Sequence, residues 1–414
     1  MRRIPPAVWP LLGLLFAAAL VAAMPAATRA AADDAATCEQ ASGEVAIAAC
    51  TRGIASGGYR GHAVAVLHYN RGVTYRQMGD NDHAIADYDE AVRVDPAYAN
   101  AYTNRGNAWQ AKGDQDRAIA DYSEAARRAP KDPDPLSNRG NSWHLVGDND
   151  RAIADYDAAL RLAPDHAVAY FGRANAWYDK GEHDRALADY DEAIRLDPTD
   201  GDSYTNRGNV WQAKGDYDRA IADYSAAIRL APTDPVPLSN RGSSWRHKGD
   251  NDRAIADYDA ALRLDPNHAV AYFGRASAWY DKGEHDRALA DYSEAIRLDP
   301  RDADSYNNRG LTYAAKRDLD RAIADYTAAI RLAPNGPAAF FNRGLAYAAK
   351  EDLERAIADF SETIRLAPNY ARALYVRGMA RHDRGDAAGG DADIAAAKAI
   401  DADVARAFAG DETN

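Results

Sequence analysis

Ten arginines stand 34 residues apart in this 414-residue sequence, at positions 71, 105, 139, 173, 207, 241, 275, 309, 343 and 377. Sixteen residues after each stands an aspartate, from Asp87 and Asp121 to Asp393. A guanidinium and a carboxylate at fixed spacing support two chemistries. The arginines can form a ladder of cationic sites for an anionic polymer, or each can be neutralised by its aspartate in a bidentate pair. Pairing is the stronger reading, because the acid recurs every time and the formal net charge is −13. Arg105 also shares a helix face with Tyr102, Ala108 and Trp109, where an unpaired cation would be costly. The pair can close within one 34-residue unit or bridge to the next.

Other reactive residue types are few. Cys38 and Cys50 are the only cysteines. Twelve residues apart, they suit a disulfide in an oxidising compartment, whereas a redox pair needs tighter spacing. His183 with Asp184, and His285 with Asp286, lack a second ligand at helical spacing and read as turn residues. Residues 99–200 and 201–302 are near copies: "AVAYFGRANAWYDKGEHDRALADY" returns as "AVAYFGRASAWYDKGEHDRALADY". A unique catalytic centre cannot be built from residues that come in near-identical pairs. No phosphate-cradling loop, H-E-x-x-H or nucleophile elbow stands outside the repeat, so no enzyme, cofactor or metal site is expected.

The elements that carry these residues follow from the same period. Four residues after each arginine but the last comes Tyr or Trp, such as Trp109. Thirteen after comes Ala, such as Ala118, then Tyr or Phe at seventeen, such as Tyr122, and Pro at twenty-five, from Pro96 to Pro368. Each unit therefore reads as a helical hairpin: an aromatic and small-residue stripe, a Gly-Asp turn such as Gly113-Asp114, a second stripe in "RAIADYSEA", and a proline stop. Gly106 and Ala118 let the helices approach while Trp109 and Tyr122 fill the space left over.

This pattern resembles the tetratricopeptide repeat family across residues 65–404. The resemblance implies an all-α solenoid, a right-handed superhelix of antiparallel helix pairs with a concave groove. The sequence departs from the family where Arg replaces the usual Leu before Gly. The resemblance also implies that first-helix positions two before, two after and five after the arginine line the groove. They read Thr103, Asn107, Gln110; Ser137, Asn141, His144; Phe171, Asn175, Tyr178; Thr205, Asn209, Gln212; Ser239, Ser243, Arg246; and Phe273, Ser277, Tyr280. Such amides can bond the backbone of an extended peptide, and the aromatic stations Phe171 with Tyr178 and Phe273 with Tyr280 can hold apolar side chains. The lysine-containing carboxylate clamp of chaperone-binding relatives is absent.

The ends differ from the array. Residues 1–32 have a basic start at Arg2 and Arg3, an apolar run and an Ala-rich end, the layout of a secretory signal with cleavage after Ala30 or Ala32. An uncleaved anchor is the alternative, weakened by Pro5, Pro6, Pro10 and Pro25. After cleavage no membrane insertion is expected, and export to the periplasm or beyond follows. Residues 33–64 read as an atypical capping hairpin stapled by Cys38 and Cys50, residues 65–404 as ten repeats, and residues 405–414 as a frayed tail. Without the first 32 residues, which hold three arginines and no acid, the net charge is −16, a poor match to nucleic acid or anionic lipid. The favoured function is a non-catalytic envelope scaffold for protein or peptide segments. The alternative is a self-assembling structural protein that forms homo-oligomers.

Overall fold

The structure is a computed structural model and describes residues 26–407. Among the described residues it contains 22 α-helices, no strand, and a closing 3-10 turn, Val404–Ala407. The leader up to residue 25 and the tail from residue 408 lie outside the described residues. The helix Ala26–Gln40 spans both expected cleavage points. No helix among the described residues is long and apolar enough to cross a membrane.

The helices form two compact units, one ending at Thr199 and one beginning at Asp200. The first holds antiparallel hairpins beginning with Ala26–Gln40 and Gly43–Ala55, joined by the Cys38–Cys50 disulfide. His62–Gln77 with Asn81–Val94, Ala99–Ala111 with Gln115–Arg128, Asp134–Leu145 with Asn149–Leu162, and Ala167–Asp179 with His183–Leu196 follow. The second unit holds six more hairpins, from Gly201–Ala213 with Tyr217–Leu230 to Ala371–Asp383 with Ala387–Ile400.

Local chemistry sets each boundary. The first helix of a hairpin ends at a glycine in the left-handed region, φ +80° at Gly113 and +81° at Gly249, which costs nothing without a Cβ. Arg317 (φ +60°) and Glu351 (φ +62°) occupy this turn without that freedom. The next residue caps the second helix: the Asp114 carboxylate accepts the N–H of Arg117 at 3.0 Å, satisfying a donor of the first turn. Glu182 and Glu284, one methylene longer, make no such bond. The second helix stops before proline, whose ring bars its predecessor from the helical region; Asp95, before Pro96, is extended at φ −127°, ψ +89°.

Packing explains the glycine that follows most of the arginines. Tyr122 is fully buried, and a Cβ at Gly106 would lie 2.7 Å from its ring. Gly208 under Tyr224 and Gly310 under Tyr326 repeat that closeness in the second unit. Where Ala174 and Ala276 follow the arginine, glycine precedes it instead: Gly172 and Gly274 accept the rings of Tyr156 and Tyr258 from the hairpins before. The aromatic on the first helix packs at the edge of the core. Trp109 is half-buried, and the guanidinium of Arg117 lies 3.5 Å from its ring centroid, so the tryptophan is roofed by a cation.

The arginine ladder closes in both of the ways that the spacing left open. Arg105 gives Nε and Nη2 to the Asp121 carboxylate at 2.8 and 2.6 Å within its own hairpin. Its Nη1 reaches Asp89 of the preceding hairpin at 2.6 Å. Arg139 does the same with Asp155 and Ser123, Arg241 with Asp257 and Ser225, and Arg343 with Asp359 and Thr327. Both partners lie largely out of water, 19% exposed at the Arg105 side chain and 8% at Asp121, so three satisfied donors are what make the cation tolerable there. At Arg275 the hydrogen bonds to Asp291 outweigh burial, with Asp259 adding to them, and raise the guanidinium above its ordinary pKa. At Asp87 burial pushes the carboxyl up, but the bonds from Arg71 and His68 outweigh it and leave the pKa lowered. The ladder is mortar between hairpins.

Candidate protein-binding face

With the glycines, tyrosines, arginines and capping aspartates committed to the hairpins, the first-helix face is where residues vary. Its positions divide sharply. Of those two before the arginine, Ser137, Thr205 and Ser239 are buried, 2%, 8% and 3% exposed, so the expectation that these three line a groove is corrected, whereas Thr103, Phe171 and Phe273 are half-buried.

Two residues after the arginine, the amide turns inward. Asn107 accepts the hydroxyl of Tyr122 at 2.7 Å and Asn209 that of Tyr224 at 2.8 Å; Asn175 and Tyr190 pair likewise. The amide thus satisfies the polar tip of the core tyrosine. Asn209 also accepts from Asn240 at 3.0 Å. Asn141 alone among these asparagines is exposed with no hydrogen bond among the described residues.

Five residues after the arginine, the side chain ties one hairpin to the next. Gln110 donates to Ser142 at 3.2 Å, Gln212 accepts from Ser244 at 2.9 Å, His144 meets Asp179 at 2.9 Å, and Arg246 meets Asp281 at 3.0 Å. Tyr178 and Tyr280 lie against His183 and His285, with centroids 5.6 and 5.5 Å apart. Phe171 and Phe273 meet Tyr190 and Tyr292 edge-on at 6.1 and 5.8 Å. All four aromatics are half-buried, each anchored on its own hairpin with one side left to solvent. Of the candidate residues, Asn141 is exposed and these four aromatics are half-buried, while the remaining amides, His144 and Arg246 bond within the scaffold.

Two features of the same face escaped the sequence reading. Val168 and Val270, three residues before Phe171 and Phe273, are each 62% exposed. In the last three repeats the position two after the arginine becomes apolar, Leu311, Leu345 and Met379, and a cavity of about 490 Å³ opens among Leu345, Phe360, Tyr375, Val376 and Met379. Applying one offset to every repeat finds the second feature. Among the described residues no three His, Cys, Asp or Glu side chains converge as metal ligands.

Comparison with known proteins gives the same repeat from outside. The model described as "TPR repeat" matches residues 72–113, 245–283 and 276–317, and models described as "Tetratricopeptide repeat" match 99–132, 146–201, 201–234, 307–371 and 341–405. The Cut9–Hcn1 hetero-tetramer of APC/C is similar with a TM-score of 0.53 at 16% identity, over 81% of this chain and 82% of that one. YrrB, described as a TPR protein with an unusual peptide-binding site, is 26% identical with a TM-score of 0.40, over 47% of this chain and 97% of that one. A tetratricopeptide repeat protein from Parabacteroides merdae is 21% identical with a TM-score of 0.48, over 60% of this chain and 98% of that one. No curated protein sequence matches.

Proposed function

The chain belongs to the tetratricopeptide repeat family, and from that premise we propose that it is a non-catalytic scaffold of the cell envelope that binds segments of partner proteins on its first-helix face. One observation carries the reading: each repeat spends its recurring side chains on its own hairpin and its neighbours, while Phe171, Tyr178, Phe273 and Tyr280 are anchored yet open on one side. Rigid aromatics of that kind give contact area at low entropic cost. The Cys38–Cys50 disulfide and the signal-like leader support an exported chain. The acidic surface turns nucleic acid away, and partners with basic character are favoured.

The test replaces Tyr178 and Tyr280 by alanine together. Loss of an aromatic contact costs on the order of 1 to 2 kcal/mol at a buried binding site, so capture of a crosslinked envelope partner is expected to fall about tenfold while helical content by circular dichroism stays at the parent value. Undiminished capture by the folded double variant would move recognition off this face.

A further inference from the structure

One cavity on the first-helix face combines an apolar floor with an acidic rim. In the second unit a hollow of about 280 Å³ has Val270, Phe273 and Ala295 as its apolar part and Asp299, Asp302 and Asp304 as its polar part. Asp302 is committed to capping its helix, accepting the N–H of Ser305 at 3.1 Å, and Asp299 accepts only the backbone N–H of Arg301 at 3.0 Å. Asp304 is exposed. Among the described residues none of the three forms an ion pair, and the guanidinium of Arg301 pairs with none of them. Asp134, the counterpart of Asp304 five residues before its arginine, meets His166 at 3.4 Å.

Resting on the peptide-binding reading above, we infer that this hollow receives a lysine or arginine side chain of the partner segment. The chemistry is complementary in two parts. A long basic side chain lays its methylene stem on Val270 and Phe273, apolar surface that is otherwise wet, and carries its cation to the carboxylates at the rim. A neutral apolar side chain uses the floor but leaves the acids unanswered, and an acidic one is repelled. The sequence carries the same residue types 102 positions earlier, from Val168 to Asp202.

The probe is a fluorescein-labelled hexapeptide, Leu-Lys-Leu-Gly-Ser-Gly, beside the same peptide with norleucine in place of lysine. The lysine peptide is expected to bind the full chain at least about tenfold more tightly. That preference shrinks as salt rises from about 0.05 M to about 0.5 M. Asp304→Asn, whose side chain holds nothing in the fold, and Asp299→Asn each reduce the preference without changing affinity for the norleucine peptide. Equal affinities for the two peptides, or a preference that both variants retain, overturn the inference and leave the binding face standing. If neither peptide binds, the inference also fails, and partner capture through Tyr178 and Tyr280 decides the broader reading separately.

Discussion

Arg105 bonds one carboxylate with two of its N–H groups and another hairpin with a third, so its removal strands two acids at once. Arg105→Leu places the family's usual residue there, yet leaves Asp121 buried without its cation. Breaking a largely buried pair costs about 3 kcal/mol, and Arg105→Leu with Asp121→Leu is expected to recover more than half of it. Denaturant unfolding of parent, single and double variants checks this; an unmoved midpoint for the single variant would reduce the ladder to a solvated contact. At this scale the +16 partner was legible because arginine and aspartate recur together. The third donor's target was not, since it alternates between Asp89 or Asp259 and Ser123, Ser225 or Thr327, with no single type to notice. The inward turn of Asn107 was hidden for a related reason. Its partner Tyr122 lies fifteen residues away, and only the closed hairpin brings hydroxyl to amide.

The helices depend on their caps, and the caps make stability pH-dependent. At Asp216 and Asp250 the backbone N–H of Arg219 and Arg253, followed by the same arginines' side chains, lower the carboxyl pKa; at Asp114, Asp318 and Asp352 the arginine side chain leads and its backbone N–H follows. All sit below the ordinary value of about 3.9. A group depressed in the folded state contributes stability that is complete above its unfolded pKa and is lost as pH falls through the folded one. Stability is therefore expected to be level near neutrality and to fall below about pH 4. Replacing Asp114, Asp216 and Asp250 by asparagine, which keeps an acceptor without a charge to titrate, flattens that fall. Thermal melts between about pH 5 and pH 2 measure it, and an unchanged slope in the triple variant would contradict the assignment. Turn and cap were readable from Gly113-Asp114 because each residue has one physical task there. Arg317 and Glu351 adopt the glycine's positive φ without being glycine, which period alone conveys but residue type does not.

Across the molecule, the repeat period carried most of the fold: one offset from an arginine predicts a helix, a turn, a buried tyrosine and a stop. The same regularity blunted the reading of function. Identical offsets made Asn107, Asn141 and Asn175 look equivalent, although only Asn141 keeps an amide free of the scaffold, and attention to the polar middle repeats passed over Leu345 and Met379. Whether a varied position is open depends on what the neighbouring hairpin places beside it. The central claim is that partners meet the first-helix face. It is tested most directly by a photo-crosslinking amino acid placed at Asn141, on that face, and separately at Arg161, exposed on the second helix of the same hairpin. The account predicts that envelope proteins crosslink from position 141 and not from position 161. Crosslinks from position 161 with none from position 141 would contradict it.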